Sequence, residues 1–134
     1  MARTVGIDFG TKRIGVADTD TLGISVQGKG TYTPEVFFKV FDKYFSEEEI
    51  DKVVIGRPSK PSKAFEKELE KFISRLKEVN KDVKVVFHDE DYSSKDAVQA
   101  LIDMGYSKKA RQQKTAIDQA SAVLILQDFL GFAK

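Results

Sequence analysis

Hydrophobic and polar positions divide the chain into short segments of changing period. In "VGIDF", residues 5–9, apolar side chains alternate with Gly6 and Asp8, the period of a strand. Residues 13–17 and 24–32 continue as two further strands across short turns, which predicts a meander. "TPEVFFKVFDKYF" then changes to helical spacing, with Thr33 as N-cap, Pro34 at the first helical position and a stripe of Phe37, Val40, Phe41 and Tyr44. That aromatic stripe suits core packing. "DKVVIGRP" is a short apolar run closed by Gly56 and Pro58, hence a buried strand. Pro61 opens a helix with Phe65, Leu69, Phe72 and Leu76 on its apolar side. "KVVFHDE" is a fifth strand ending in acids, residues 93–104 a helix ended by Gly105, and "TAIDQASAVLILQDFL" a largely buried last helix.

A meander followed by two helix-linked strands predicts an α/β fold with a mixed sheet. Right-handed crossovers give the order 3-2-1-4-5 and put helices on both faces. The strand order then reverses between the first and fourth strands, and ligands of such sheets bind beyond the carboxyl ends of the strands at that point. Asp8 and the Gly56-Arg57-Pro58 turn both fall there.

Composition narrows the class. The chain has 134 residues, which predicts one domain over residues 1–134, large enough for a core without disulfides. It has no cysteine, which excludes disulfides, thiolate metal sites and cysteine nucleophiles. "MARTVGIDFG" reaches an acid before any sizeable apolar run, and no segment approaches the ~20 apolar residues of a membrane span. The expectation is a cytoplasmic protein with no membrane partner, a monomer or weak homodimer. Net charge is only +1, but "RPSKPSK" and "KKARQQK" hold cations without acids, while "SEEEID" and "HDED" hold the reverse. Segregated charge of this kind can hold a polyanion locally, and it equally fits solvated loops.

Asp8, the run Asp89-Glu90-Asp91, and Asp118 are the candidate acids. Each has an ordinary explanation: Asp8 satisfying the Gly10-Thr11 turn, Asp89 and Asp91 ending a strand, and Asp118 closing a capping box with Thr115. Converging at one sheet edge, they suit Mg2+ or Mn2+, hard ions that prefer oxygen ligands and serve phosphodiester hydrolysis. His88, the one histidine, is expected to pack or hydrogen-bond as a strand residue rather than act as a base. Lys12 and Arg13 stand beside Asp8, with Lys12 the better placed for phosphate.

"IDFGTKRIGVA", "VVIGRP", "VFHDE" and "IDQASAVLIL", in this order and spacing, resemble the YqgF/RuvX family of Holliday junction resolvase-like proteins with an RNase H-like fold. The resemblance covers essentially the whole chain. It implies a metal-dependent nuclease associated with trimming the 5′ end of the small-subunit rRNA precursor, with Asp8, Glu90 and Asp118 as catalytic and metal-binding acids. Lys12, Arg57, Lys108, Lys109, Arg111 and Lys114 are then the candidates for binding nucleic acid, precursor rRNA or branched DNA. "GIDFGTKRIGVA" alone also resembles the start of sugar kinase and Hsp70-type ATPases, but 134 residues leave no second lobe for a nucleotide. A non-catalytic RNA-binding module is the remaining alternative.

Two positions depart from the family pattern. Asp91 stands where the family has arginine, and Arg57 where it has leucine. On neighbouring parallel strands these residues are expected to pair or to exchange the phosphate-binding role, moving a cation towards Asp8. Residues 108–114, polar and with little to bury, are expected to form a poorly ordered basic loop.

Overall fold

The computed structural model describes residues 2–131 apart from 11, 23, 48, 59, 90–93 and 112; at 89, 94–97, 114 and 115 it describes the backbone only. The strands are β1 (Arg3–Phe9), β2 (Ile14–Thr19), β3 (Val26–Tyr32), β4 (Ile50–Arg57) and β5 (Lys84–Asp89). They form one sheet in the order β3-β2-β1-β4-β5. β1 pairs antiparallel with β2 and parallel with β4, and β4 pairs parallel with β5, so the sheet is mixed as expected.

Helices α1 (Pro34–Glu47) and α2 (Lys63–Val79) cover one face. There Val5, Ile7 and Phe9 of β1 meet Phe37, Phe41, Phe45, Leu69, Phe72 and Leu76 in one core. Phe37 is fully buried and packs 5.2 Å, centroid to centroid, from Phe72. Thr33 caps α1 as its sequence requires, accepting from the Val36 N–H. Val40 is exposed and Phe45 takes the expected core place, because Phe37, Phe41 and Phe45 recur every fourth residue. α2 begins at Lys63 rather than Pro61. Ser62 accepts from the Phe65 N–H and is the real cap. β3 starts at Val26, leaving Ile24 exposed.

The other face carries α5 (Lys114–Leu130), with α3 (Ser94–Asp103) packed on it through Leu101, Ala116 and Ala120. α5 lies close to the sheet because the strands present small residues to it. A Cβ at Gly6 would strike Leu126, one at Gly15 the Asp118 carbonyl oxygen, and one at Gly28 the Gln119 side chain. Gly105, at φ +85°, ends α3, and the Tyr106 N–H returns to the Leu101 carbonyl.

Residues 108–111 depart from the expected loop. α4 (Lys108–Arg111) is a short helical turn, started by the Ser107 hydroxyl accepting from the Ala110 N–H. Among the described residues, no helix is long and apolar enough to cross a membrane.

Candidate active site at the carboxyl edge of the sheet

β1, β4 and β5 run parallel, so their carboxyl ends share one edge. Asp8, one residue from the end of β1, lies opposite Gly15 of β2 on one side and Gly56 of β4 on the other; His88 follows Gly56 on β5. Paired residues point to the same face of a sheet, and so do residues two apart on a strand. Gly6 faces α5, so Asp8, Gly15 and Gly56 face it as well. The half-buried Asp8 carboxylate is therefore flanked on both sides by residues without side chains.

Asp118 reaches this place from α5. Its carbonyl oxygen fills the space that a Cβ on Gly15 would take, so Asp118 sits beside the strand position next to Asp8, at the same end and on the same face. Arg13 Nε donates to Asp118 Oδ2 at 2.9 Å, an ion pair in which the two side chains are 34% and 20% exposed. A tight turn aims this arginine, closed by the Gly10 N–H donating to the Arg13 carbonyl at 2.9 Å. Thr115 lies inside the helix and not at the cap position a capping box requires. α5 starts at Lys114 with Gln113 as a cap that makes no side-chain bond, which puts Asp118 in the second turn. The helix dipole acts within the first turn, so it is Arg13 that balances the charge of Asp118.

Glu90 and Asp91 lie outside the described residues, and with them the third acid and the expected Arg57–Asp91 pair. Arg57 is engaged elsewhere. Its Nη2 donates to Glu66 Oε1 of α2 at 2.9 Å, and its guanidinium lies 5.1 Å from the Phe87 ring centroid. Both contacts are on the α2 face, so Arg57 turns away from Asp8 rather than towards it. His88 hydrogen-bonds Asp128 of α5 at 2.6 Å and meets Phe129 edge-on, a packed and bonded strand residue. Lys12, Lys108 and Lys109 are exposed. Arg111 is partly buried and donates to the Tyr106 carbonyl at 2.9 Å, a brace for α4 rather than a free arm. The Lys114 side chain lies outside the described part of the chain.

Asp8 and Asp118 offer hard oxygen donors to a divalent cation, at a place where neither strand neighbour of Asp8, Gly15 or Gly56, carries a side chain. Among the described residues, no cluster of three metal-ligating groups forms. The donor set fits a cation in part and requires a further ligand. Two features of this place go beyond the sequence expectations: Gly15 and the Arg13–Asp118 pair. A glycine inside the apolar run "IGVA" is the available signal, since glycine within a strand often marks close approach of another backbone.

Solved structures identify the class of fold. The chain superposes on Fowlpox virus resolvase, solved with substrate Holliday junction DNA, with a TM-score of 0.63 at 12% identity, covering 96% of this chain and 97% of that one. It superposes on T. thermophilus RuvC, solved in complex with Holliday junction substrate, with a TM-score of 0.57 at 13% identity, covering 100% and 99%. The class is the RNase H-like fold of RuvC-type resolvases.

Sequence comparison identifies the family. The family described as "RuvX: Holliday junction resolvase" matches residues 2–131. A protein of Flavobacterium psychrophilum is 38% identical, with 97% of each chain covered. One of Phocaeicola vulgatus is 35% identical, covering 100% of this chain and 99% of the relative. Both carry the name "Putative pre-16S rRNA nuclease". This chain belongs to the RuvX family.

Proposed function

We propose that the chain is a metal-dependent endonuclease that hydrolyses phosphodiester bonds in structured RNA, processing the 5′ end of the small-subunit rRNA precursor. The observation that carries this reading is the placement of Asp8 and Asp118 at one end and on one face of the sheet, with Asp118 against Gly15, the strand neighbour of Asp8. The names of its full-length relatives support the substrate.

In this reading Asp8, Asp118 and Glu90 hold Mg2+ or Mn2+. The ion, when bound, supplies positive charge that favours ionisation of water and stabilises the leaving oxygen. Arg13 holds Asp118 in place until then and afterwards turns its guanidinium to a substrate phosphate, which matches its planar donors. Lys12, exposed in the same turn, meets the adjoining phosphate. Lys108 and Lys109 on α4 hold the strand farther along. A single cut in RNA needs one such site, so a monomer or weak homodimer suffices, and precursor rRNA places the work in the cytoplasm.

A branched-DNA substrate is the second reading, favoured by the junction complexes of the structural neighbours. The test incubates the protein and Mn2+ with an end-labelled fragment spanning the 5′ end of precursor 16S rRNA and, separately, with a four-way DNA junction. The expected result is cleavage of the RNA at a discrete position. Cleavage of the junction alone would transfer the same chemistry to DNA, and binding without cleavage of either would make the chain a binding module.

A further inference from the structure

Phe87 is out of place for a packed strand residue. It is the register partner of Ile55, which is fully buried, yet Phe87 is 44% exposed. It lies near the carboxyl end of β5, an edge of the sheet. The Arg57 guanidinium stands over its ring at 5.1 Å, and Glu66 holds that guanidinium through Nη2 at 2.9 Å. The Glu66 carboxylate takes one donor of the guanidinium and keeps the cation at the ring. Lys60, on the connection that follows Arg57, and Lys63, at the start of α2, are both exposed. An exposed aromatic ring braced by a fixed cation, with further cations beside it, has the makings of a stacking platform: every nucleobase has a π-face, and lysines meet the flanking phosphates.

We propose that the Phe87–Arg57 pair is a stacking subsite for an unpaired nucleobase, with Lys60 and Lys63 holding the phosphates beside it. The inference rests on the nucleic-acid reading above and extends it from the sheet face that carries Asp8 to the face that carries α2. β5 is two strands from β1, about 10 Å at the usual strand spacing. A single strand passing over the carboxyl edge thus reaches both the acids and the platform. The chemistry selects for single-stranded nucleic acid, because a base within a duplex has both faces covered by its neighbours.

The chain has no tryptophan, so Phe87→Trp supplies a single fluorescent reporter at the platform. Titrating this variant in Mg2+-free buffer with a labelled ribo-oligonucleotide, and with the same sequence as a duplex, reads stacking by tryptophan quenching and binding by anisotropy of the label. Phe87→Leu in parallel keeps an apolar side chain and removes the π-face. The expected result is quenching by the single strand and not by the duplex. Phe87→Leu should bind the single strand about 5- to 150-fold more weakly, the range expected for removing one base stack, with an unchanged salt slope because every phosphate is still held. Full binding without quenching, with Phe87→Leu at wild-type affinity, would overturn the platform and leave the nuclease reading standing. No binding of either RNA by the wild type would overturn both.

Discussion

Arg13 and Asp118 stand 105 positions apart, and their 2.9 Å ion pair exists only once the sheet and α5 have come together. Asp8 is legible in the sequence because an acid interrupting an apolar strand asks for a reason; the pair is not, because no local pattern joins its halves. An acid in a strand is not sufficient by itself. Asp18 of β2 is 2% exposed, yet it takes a 2.6 Å hydrogen bond from the Tyr44 hydroxyl and has Arg3 and Lys29 within 3.9 Å, a structural network at the other end of the strand. Tyr44→Phe should therefore cost about 1.5 to 3 kcal/mol in denaturant unfolding, the value of a hydrogen bond to a charged group. Arg13→Gln should behave differently. Its pair is partly exposed, so stability should change by less than about 1 kcal/mol. Mn2+ should bind several-fold more tightly by calorimetry once the competing cation has gone, while cleavage falls. Equal Mn2+ affinity in the two proteins would show that Arg13 does not compete for Asp118. Gly15→Ala should shift the first turns of α5, because its Cβ would meet the Asp118 carbonyl, costing about 1 to 3 kcal/mol and most of the activity. Wild-type activity with that Cβ in place would mean that α5 can move without disturbing the site.

At the scale of elements, periodicity locates every strand and each of the longer helices, and its errors have local causes. The stripe on α1 takes in Val40 where Phe45 packs, because an i, i+3, i+4 stripe and an i, i+4, i+8 stripe overlap over two turns. Pro61 looks like the start of α2 because proline favours the first turn; the serine after it makes the better cap. α4 escapes the pattern because four residues carry no periodicity, and what holds them is the Ser107 cap and the Arg111 bond to Tyr106. That bond divides the basic residues of this segment by role. Replacing Lys108 and Lys109 by glutamine should weaken RNA binding and lower the log–log salt slope by about 0.7 for each single-strand phosphate no longer neutralised. Arg111→Gln should loosen α4 and leave the slope nearly unchanged. Salt titrations of the two variants check the division, and a fall in slope for Arg111→Gln would make that arginine a phosphate ligand after all.

For the whole molecule, the strand order is legible because the handedness of crossovers leaves few arrangements of a meander and two helix-linked strands, and that order alone predicts a site at the end of β1. What the order does not contain is depth. α5 comes close enough to bring Asp118 beside Asp8 only because Gly6, Gly15 and Gly28 leave it room, and close approach of backbones is invisible to hydropathy. Arg57 shows the same limit from the other side: its place at a strand end follows from the sequence, but the face it takes is decided by Glu66 and Phe87. The central claim is that Asp8 and Asp118 act on one phosphodiester bond through one divalent cation. The measurement that tests it most directly is Mn2+-dependent cleavage of the precursor rRNA fragment by the wild type, Asp8→Asn and Asp118→Asn, each first shown by thermal melting to be folded. Asparagine keeps the shape of each side chain and removes its charge, so the account predicts folded variants that bind the RNA and do not cut it. Cleavage at the wild-type rate by either folded variant would contradict it.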